Sequence, residues 1–234
     1  MIPELHPQWR ALDMGGLLGE HAAFLNLGSQ NSLLNPQGAV QGEGIWKHGR
    51  EPGGSLVNTL ALAAACREAG MRFFWFRWER FRHRYPGTPM DRGQCDHWLR
   101  EFTGDLDAQR DWNADLIDEV KAVVEPEDVN LIYPGFSSIF AGTPVEMYLS
   151  MWGVRTLILS GYHTEWCVET AARAARDLGY MPVVVGDACA GATPEVHGET
   201  LRRLNDIFAP VISTETAVRL IRQGRAPSRL APTG

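Results

Sequence analysis

The sequence predicts an α/β fold in which helices cover both faces of a parallel β-sheet. Its apolar runs are continuous rather than alternating, which is typical of strands that are buried on both faces. Helical stretches separate these runs, and strands that alternate with helices form right-handed βαβ crossovers. The chain of 234 residues, 44% of them hydrophobic, is long enough for one such domain with a large core.

The apolar runs predict the strands, and turn residues mark the ends of the helices between them. The predicted strands are Ala22–Leu27, Arg72–Phe76, Val129–Ile132, Thr156–Leu159, Pro182–Val185 and Val211–Ile212. The predicted helices are Ser55–Ala69, Trp112–Val124, Thr143–Trp152 and Glu165–Leu178. For the last of these, Thr164 is a good N-cap and Gly179 a good C′ residue.

We expect a single domain over residues 1–234, with an N-terminal extension at 1–20 and a tail at 224–234. The segment Glu79–Asp111 is long and rich in Arg, Trp, Gly and Pro. Long loops in compact domains are often functional, so this segment is predicted to form a lid or an oligomer contact.

Composition excludes several classes of function. The net charge of −6 argues against a nucleic acid or an anionic membrane as the main partner. The start of the chain lacks the basic and apolar regions of a secretory signal, and no apolar run approaches the roughly 20 residues that a membrane helix needs. The cysteines, Cys66, Cys95, Cys167 and Cys189, form no CxxC pair, which predicts free thiols in a cytoplasmic protein without zinc.

Cys167 is the leading candidate for a catalytic residue. An apolar strand leads into a turn, and the turn opens a helix with Cys167 in its first turn. A cysteine at this end of a helix is favoured as a thiolate and hence as a nucleophile. The alternative is that Cys167 is a small buried hydrophobic residue, which is common for free cysteine.

Several motifs together resemble the isochorismatase-like cysteine hydrolases, a family that includes nicotinamidases and the N-carbamoylsarcosine, ureidoacrylate and biuret amidohydrolases. The motifs are the strand–turn–helix unit around Cys167, Ser29-Gln30-Asn31, Tyr133 to Ser137 with Phe140, Gly142 and Thr143, and Pro194-Glu195 with His197. The resemblance extends over about residues 20 to 220. It implies a three-layer α/β/α sandwich around a mainly parallel sheet of about six strands.

The resemblance also implies a catalytic set. In this family a cysteine attacks a carbonyl carbon, an aspartate on the first strand is the general base, and a lysine supports both. The cysteine matches Cys167. Gly28 stands where the aspartate belongs, and the lysine position falls on Tyr133 or on Pro134, depending on the register chosen.

The family's oxyanion site uses backbone N–H groups, which here are those of Cys167 and His163. A cis peptide is frequent in this turn and would join Tyr162 to His163. With no family base present, His163 is a candidate base for Cys167, and Tyr133 is a candidate proton donor.

Substrate contacts are predicted at the carboxyl ends of the strands, where ligands bind in parallel sheets. These residues are Gln30, Asn31, Arg77, Trp78, Glu79, Phe136 and Tyr162. Arg77 or Arg82 is expected to hold a substrate carboxylate. Trp75, Trp78 and Phe81 form either an aromatic substrate wall or an interface. No metal and no cofactor are expected.

Three functions stay open at this point. The first is a hydrolase that cleaves a small amide or other C–N substrate through a Cys167 thioester with a non-standard base. The second is an inactive family member that serves as a binding or assembly subunit. The third is a non-covalent hydrolase or isomerase in the same pocket, in which Tyr133, His163 and Glu79 do the acid–base chemistry. The resemblance also implies a homo-oligomer, a dimer or tetramer, that acts on a small molecule.

Overall fold

The computed structural model describes residues 2–19, 21–78, 97, 99–133 and 137–224. They contain a six-stranded sheet with the order β3-β2-β1-β4-β5-β6, in which each neighbouring pair is parallel. The strands are β1 Ala22–Leu27, β2 Arg72–Trp78, β3 Val129–Tyr133, β4 Thr156–Tyr162, β5 Met181–Ala190 and β6 Val211–Ile212. The predicted α/β sandwich with a parallel sheet is confirmed.

Helices cover both faces of this sheet. They are α1 Met14–Leu17, α2 Asn31–Leu34, α3 Ile45–Gly49, α4 Ser55–Glu68, α5 Arg110–Ala114, α6 Asp118–Lys121, α7 Val145–Met151, α8 Glu169–Asp177, α9 Pro194–Arg203 and α10 Thr214–Gly224, with 3-10 turns at Pro7–Trp9 and Gln41–Glu43 and π-helical turns at Thr164–Val168 and Leu204–Phe208. Helices α4 and α10 pack on one face and α7, α8 and α9 on the other. None of the described helices has the length and apolarity that crossing a bilayer requires.

Four strands, β2 to β5, extend further towards their carboxyl ends than the apolar pattern predicts. Strand β5, for example, ends at Ala190 rather than Val185. The apolar pattern detects buried side chains, whereas the ladder between β4 and β5 continues past them through an irregularity between Leu159 and Gly161. Gly161 has a φ of 124°, and a Cβ there would overlap the carbonyl of Leu27 on β1. The strand is therefore held at this point by backbone contacts that only glycine allows.

The single helix predicted over Trp112–Val124 is wrong, because two short helices, α5 and α6, replace it. Between them the backbone is extended at Asp115 and Ile117. The Ile117 amide donates to the Ser29 carbonyl, and the Asp115 carbonyl accepts from the Asn31 amide. The segment leaves the helix because it pairs with the chain that follows β1.

The strand order places one crevice at the centre of the sheet. The chain adds β2 and β3 on one side of β1, and β4, β5 and β6 on the other. Ligands of such sheets bind at the carboxyl ends of the strands where the order reverses, which here is between β1 and β4.

Candidate active site

Cys167 lies in a π-helical turn, Thr164–Val168, that joins β4 to α8. The peptide bond from Tyr162 to His163 is cis, as the family resemblance implied. The His163 carbonyl accepts hydrogen bonds from the amides of both Trp166 and Val168, each 3.2 Å long. Single π-helical turns are rare and occur frequently at functional sites.

Thr164 does not act as the N-cap that the sequence predicts. It is the first residue of the π-helical turn, and His163 occupies the cap position without a side-chain hydrogen bond. The Thr164 hydroxyl instead lies 2.7 Å from Nδ1 of His197. The predicted C′ glycine, Gly179, has a φ of 87° and is confirmed.

The phenol of Tyr133 lies against the sulfur of Cys167. The distance from Oη to Sγ is 2.9 Å, and Tyr133 is completely buried at the end of β3. Its ring meets Phe76 on the neighbouring strand edge to face, with centroids 6.4 Å apart. The end of β3 thus brings a hydroxyl to the candidate nucleophile.

The phenol is held in its protonated form. Burial raises the pKa of Tyr133 well above its ordinary value, and the charge of the Cys167 thiolate and the hydrogen bond to it raise it further. A phenol that keeps its proton donates to the sulfur when the sulfur is a thiolate. Donation of this kind stabilises the charged form of the cysteine relative to the thiol.

The end of β1 carries no side chain at the position where the family has its aspartate. Gly28 has a φ of 72°, a region that residues with a Cβ adopt at a cost. A Cβ at this position would also lie 3.0 Å from the carbonyl oxygen of Tyr162. The backbone at this strand end is therefore built for glycine.

Gln30 and Asn31 use their side chains to hold neighbouring backbone. The Gln30 amide donates to the Trp78 carbonyl at 2.7 Å and accepts from the Trp78 amide at 2.6 Å. It thereby continues the pairing of β1 with β2 beyond the last residues of β1. Asn31 donates to the carbonyl of Trp112 at 3.0 Å. Substrate contacts by these two buried residues stay predictions, which their structural hydrogen bonds do not favour.

The end of β2 separates its aromatic and charged residues. Trp75 is fully buried and donates to Asp128 at 2.8 Å, so for this residue the prediction of a substrate wall or an interface is wrong. Trp78 is half-buried and pairs in register with Tyr133 on β3. This register places its side chain on the same face of the sheet as Tyr133, which contacts the Cys167 sulfur. Arg77 lies 3.6 Å from Asp115, and its role with a substrate carboxylate stays a prediction.

Tyr162 and His163 flank the cis peptide and are both buried. The Tyr162 ring packs in the core on the face covered by α4, and its hydroxyl donates to Ser55 at 3.0 Å. That position does not favour a direct substrate contact. The predictions for Glu79, Phe81, Arg82, Pro134 and Phe136 lie outside the described residues.

Two glutamates stand two residues on either side of Cys167, and they are held differently. Glu169 is ion-paired with Arg173 and Arg203, each at 2.7 Å. Burial alone would raise its pKa, but the hydrogen bonds from the two arginines outweigh burial, and its pKa lies below the ordinary value. Glu165 accepts a hydrogen bond from the Ala192 amide at 2.8 Å. No sequence pattern indicates a role for Glu165, since its partner is a backbone group 27 residues away along the chain.

The remaining polar groups near the strand ends are structural. Asp187 accepts from the amide and the hydroxyl of Thr214, both at 2.7 Å, and so holds the start of α10. Cys66 and Cys189 are free thiols buried in the core. Within the described ranges, no group of three or more His, Cys, Asp or Glu residues is placed to hold a metal ion.

A cavity of about 380 Å³ opens beside the end of β5. Its described lining includes His48, Ser55, Cys189, Gly191 and His197, and it includes neither Cys167 nor Tyr133. The contact between the Tyr133 phenol and the Cys167 thiol therefore lies outside this cavity.

Comparison with known proteins identifies the family. A family model described as the isochorismatase domain matches residues 23–216. The chain is 32% identical over 187 residues to the ureidoacrylate amidohydrolase RutB of Enterobacter sp. (strain 638), across 75% of this chain and 78% of that protein.

Solved structures share the fold. A cysteine hydrolase from Pseudomonas syringae pv. phaseolicola superposes with a TM-score of 0.70 at 19% identity, covering 95% of this chain and 98% of that one. The nicotinamidase PncA of Bacillus subtilis superposes with a TM-score of 0.60 at 20% identity, covering 82% and 99%. From the matched domain, the related amidohydrolase sequence and the shared fold together, this chain belongs to the isochorismatase family.

Proposed function

We propose that this protein is a cysteine hydrolase that cleaves a C–N bond of a small amide or ureido compound through a thioester on Cys167. The observation that carries the proposal is the 2.9 Å contact between the Tyr133 phenol and the Cys167 sulfur. A buried hydroxyl that stays protonated stabilises a thiolate, and the thiolate is the reactive form of cysteine.

In the proposed reaction the Cys167 thiolate attacks the carbonyl carbon and forms a C–S bond. The carbonyl π electrons move to oxygen, where backbone N–H groups of His163 and Cys167 stabilise the charge. Collapse of this intermediate breaks the C–N bond, and the nitrogen leaves with a proton. Water then attacks the thioester, the C–S bond breaks, and a carboxylic or carbamic acid is released.

We assign the proton transfers of this reaction to His163. In this scheme its ring accepts the thiol proton, passes it to the leaving nitrogen, and later accepts a proton from the attacking water. Tyr133 keeps its own proton throughout, because burial and the neighbouring sulfur oppose its ionisation. Tyr133 thus takes over the support of the sulfur, which the family assigns to lysine, as a hydrogen-bond donor without a charge.

The substrate class rests on the relatives. The sequence relative is a ureidoacrylate amidohydrolase, and one of the similar folds is a nicotinamidase. Both names describe release of nitrogen from a small carbonyl compound. We propose the same class of substrate here.

The test is turnover of a panel of small primary amides and ureido acids, followed by ammonia release and by intact-mass spectrometry of the protein. We expect ammonia release and an acyl adduct on Cys167 after rapid quenching, both lost in Cys167→Ala. Cys189→Ala is the matched control, because that thiol is buried in the core and is expected to leave turnover unchanged. Ammonia release that survives in Cys167→Ala would contradict the thioester and favour non-covalent acid–base chemistry.

A second candidate is an inactive binding subunit, and the absence of a side chain at Gly28 favours it. The two candidates differ in the reactivity of Cys167. A hydrolase has a sulfur that iodoacetamide labels rapidly well below pH 8, whereas an inactive subunit labels no faster than a free thiol with a pKa of about 8.5.

We also propose a cytoplasmic homo-oligomer. Free Cys66, Cys167 and Cys189 are consistent with a reducing compartment. Light scattering coupled to gel filtration measures the oligomer order, and a monomer at micromolar concentration would contradict the proposal.

A further inference from the structure

The turn that carries Cys167 is attached to the segment between β5 and α9 by two side chains. Glu165 Oε1 accepts from the Ala192 amide at 2.8 Å. One residue earlier, the Thr164 hydroxyl lies 2.7 Å from Nδ1 of His197, which is in the first turns of α9. Both contacts join residues immediately before the sulfur to a segment on the opposite side from Tyr133.

The position of the Glu165 carboxylate depends on Gly191. A Cβ at residue 191 would lie 2.5 Å from Glu165 Oε2 and 3.1 Å from the Cβ of His197. Any larger residue at this position would have to displace one of the two side chains. The absence of a side chain at Gly191 therefore creates the space in which the carboxylate reaches the Ala192 amide.

Glu165 is held at a cost that stability alone does not explain. Its Oε2 is buried and makes no hydrogen bond within the part of the chain described, and a buried unpaired carboxylate oxygen is unfavourable. Glu169, on the other side of Cys167, has two arginine partners. A neutral amide at position 165 would supply the same acceptor to Ala192.

We infer that Glu165 is a positioning residue, whose hydrogen bond to the Ala192 amide sets the π-helical turn so that the Cys167 sulfur meets the Tyr133 phenol. The inference rests on the proposed function, since it assigns Glu165 to the reactivity of the same nucleophile. Glu165 acts through the backbone of the turn and does not touch the reacting atoms. Gly191 is part of the same arrangement because the absence of a side chain there leaves space for the Glu165 carboxylate.

The experiment measures the second-order rate constant for iodoacetamide labelling of Cys167 across pH, by peptide mass spectrometry, together with the melting temperature. The variants are Glu165→Ala, Glu165→Gln and Gly191→Ala. Glu195→Ala is the control, because Glu195 is an exposed acid in the first turn of α9. Labelling needs no substrate, so failure of this inference and failure of the proposed hydrolase are separate results.

We expect Glu165→Ala and Gly191→Ala to slow labelling at neutral pH about tenfold, the effect of one hydrogen bond of ordinary strength. Glu165→Gln keeps the acceptor and is expected to slow labelling only about threefold, since an amide acceptor retains about half the strength of a carboxylate acceptor. Glu195→Ala should change nothing.

The decisive readout is the double variant with Tyr133→Phe. If Glu165 acts by placing the sulfur against the phenol, Glu165→Ala slows labelling far less once the hydroxyl is gone, because the two changes remove one interaction. A full, additive effect in that background overturns the inference. So does unchanged labelling in Glu165→Ala, or an equal loss in Glu165→Gln.

Discussion

The end of β1 and the ends of β3 and β4 lie at the same edge of the sheet, but they use their residues in opposite ways. Strands β3 and β4 lead to Tyr133 and Cys167, whose polar atoms meet at 2.9 Å. Strand β1 leads to Gly28, which has no side chain, and then to Gln30, whose amide pairs with the backbone of Trp78. One part of the edge retains reactive groups, while the other has become part of the scaffold.

In this fold the nucleophile and its supporting hydrogen-bond donor are separable from the base. The turn with Cys167 depends on β4 and the helix after it, and Tyr133 depends on the register of β3 with β2. Neither depends on a carboxylate at position 28. Experiments on each strand end therefore test each part on its own.

The largest effect is expected from Tyr133→Phe, which removes the hydroxyl from the reactive end of the sheet. A hydrogen bond to a charged group contributes about 1.5–3 kcal/mol, so we expect labelling of Cys167 by iodoacetamide at neutral pH to slow by about 10- to 100-fold. The midpoint of its pH dependence should rise by about one to two pH units. Rates measured from pH 5 to 10 check both.

Tyr148→Phe is the matched control for this change. Tyr148 lies in α7 and packs its ring against Trp152 and Phe74 on the same face of the sheet. We expect no change in labelling. If Tyr133→Phe also labels like the unaltered protein, the phenol does not stabilise the Cys167 thiolate. The proposed chemical difference between the ends of β1 and β3 would then be contradicted.

The next effect is expected from Gly28→Asp, which restores the family carboxylate to the scaffold end. The positive φ of 72° and the nearby Tyr162 carbonyl should lower the free energy of unfolding by about 1–2 kcal/mol. We expect no gain in turnover, because the backbone does not present the side chain as an ordinary strand end would. Chemical denaturation and ammonia release measure the two outcomes.

Gly28→Ala separates backbone strain from the effect of the carboxylate. It should reproduce most of the loss of stability. Faster turnover in Gly28→Asp, with the stability of the unaltered protein, would show that the β1 end still accepts a base.

The smallest effect is expected from Glu169→Gln, at the far side of the Cys167 turn. We expect a loss of about 1 kcal/mol at pH 7, below the usual range for charged hydrogen bonds, because both arginine partners are more than a third exposed and solvent screens the pairs. Labelling of Cys167 should stay unchanged. Slower labelling would mean that Glu169, like Glu165, helps to position the Cys167 sulfur.

The ion pairs of Glu169 also predict how stability depends on pH. The pKa of Glu169 is lower in the folded protein than its ordinary value of about 4.3. Its contribution is therefore fully present above that value and is lost as the pH falls through the folded pKa. The difference in stability between the unaltered protein and Glu169→Gln should shrink on acidification below about pH 4, which urea denaturation at several pH values measures.

Sequence patterns predicted the sheet well because its strands are buried on both faces. Ala22–Leu27 and Val211–Ile212 have the predicted bounds. The pattern failed where tertiary pairing decides the backbone. It missed the extended break at Asp115, which pairs with the chain after β1, and the continuation of β5 to Ala190.

The candidate site was predictable to the extent that it follows local chain geometry. Cys167 stands out as a candidate because a strand, a turn and a helix follow each other in sequence. The contact of Tyr133 with its sulfur depends on strand order, which no local pattern contains. Glu165 was missed because its partner, the Ala192 amide, is a backbone group that leaves no trace in the sequence.

The conformation at Gly28 also bears on how such a sequence can drift. A single base change converts a glycine codon that ends in a pyrimidine into an aspartate codon, so the genetic code places the family's base one step away. The Tyr162 carbonyl and the positive φ at residue 28 disfavour this substitution. A lineage with this backbone would have to reshape the turn after β1 before the carboxylate became useful, which makes the order of mutations, rather than their number, the barrier to return.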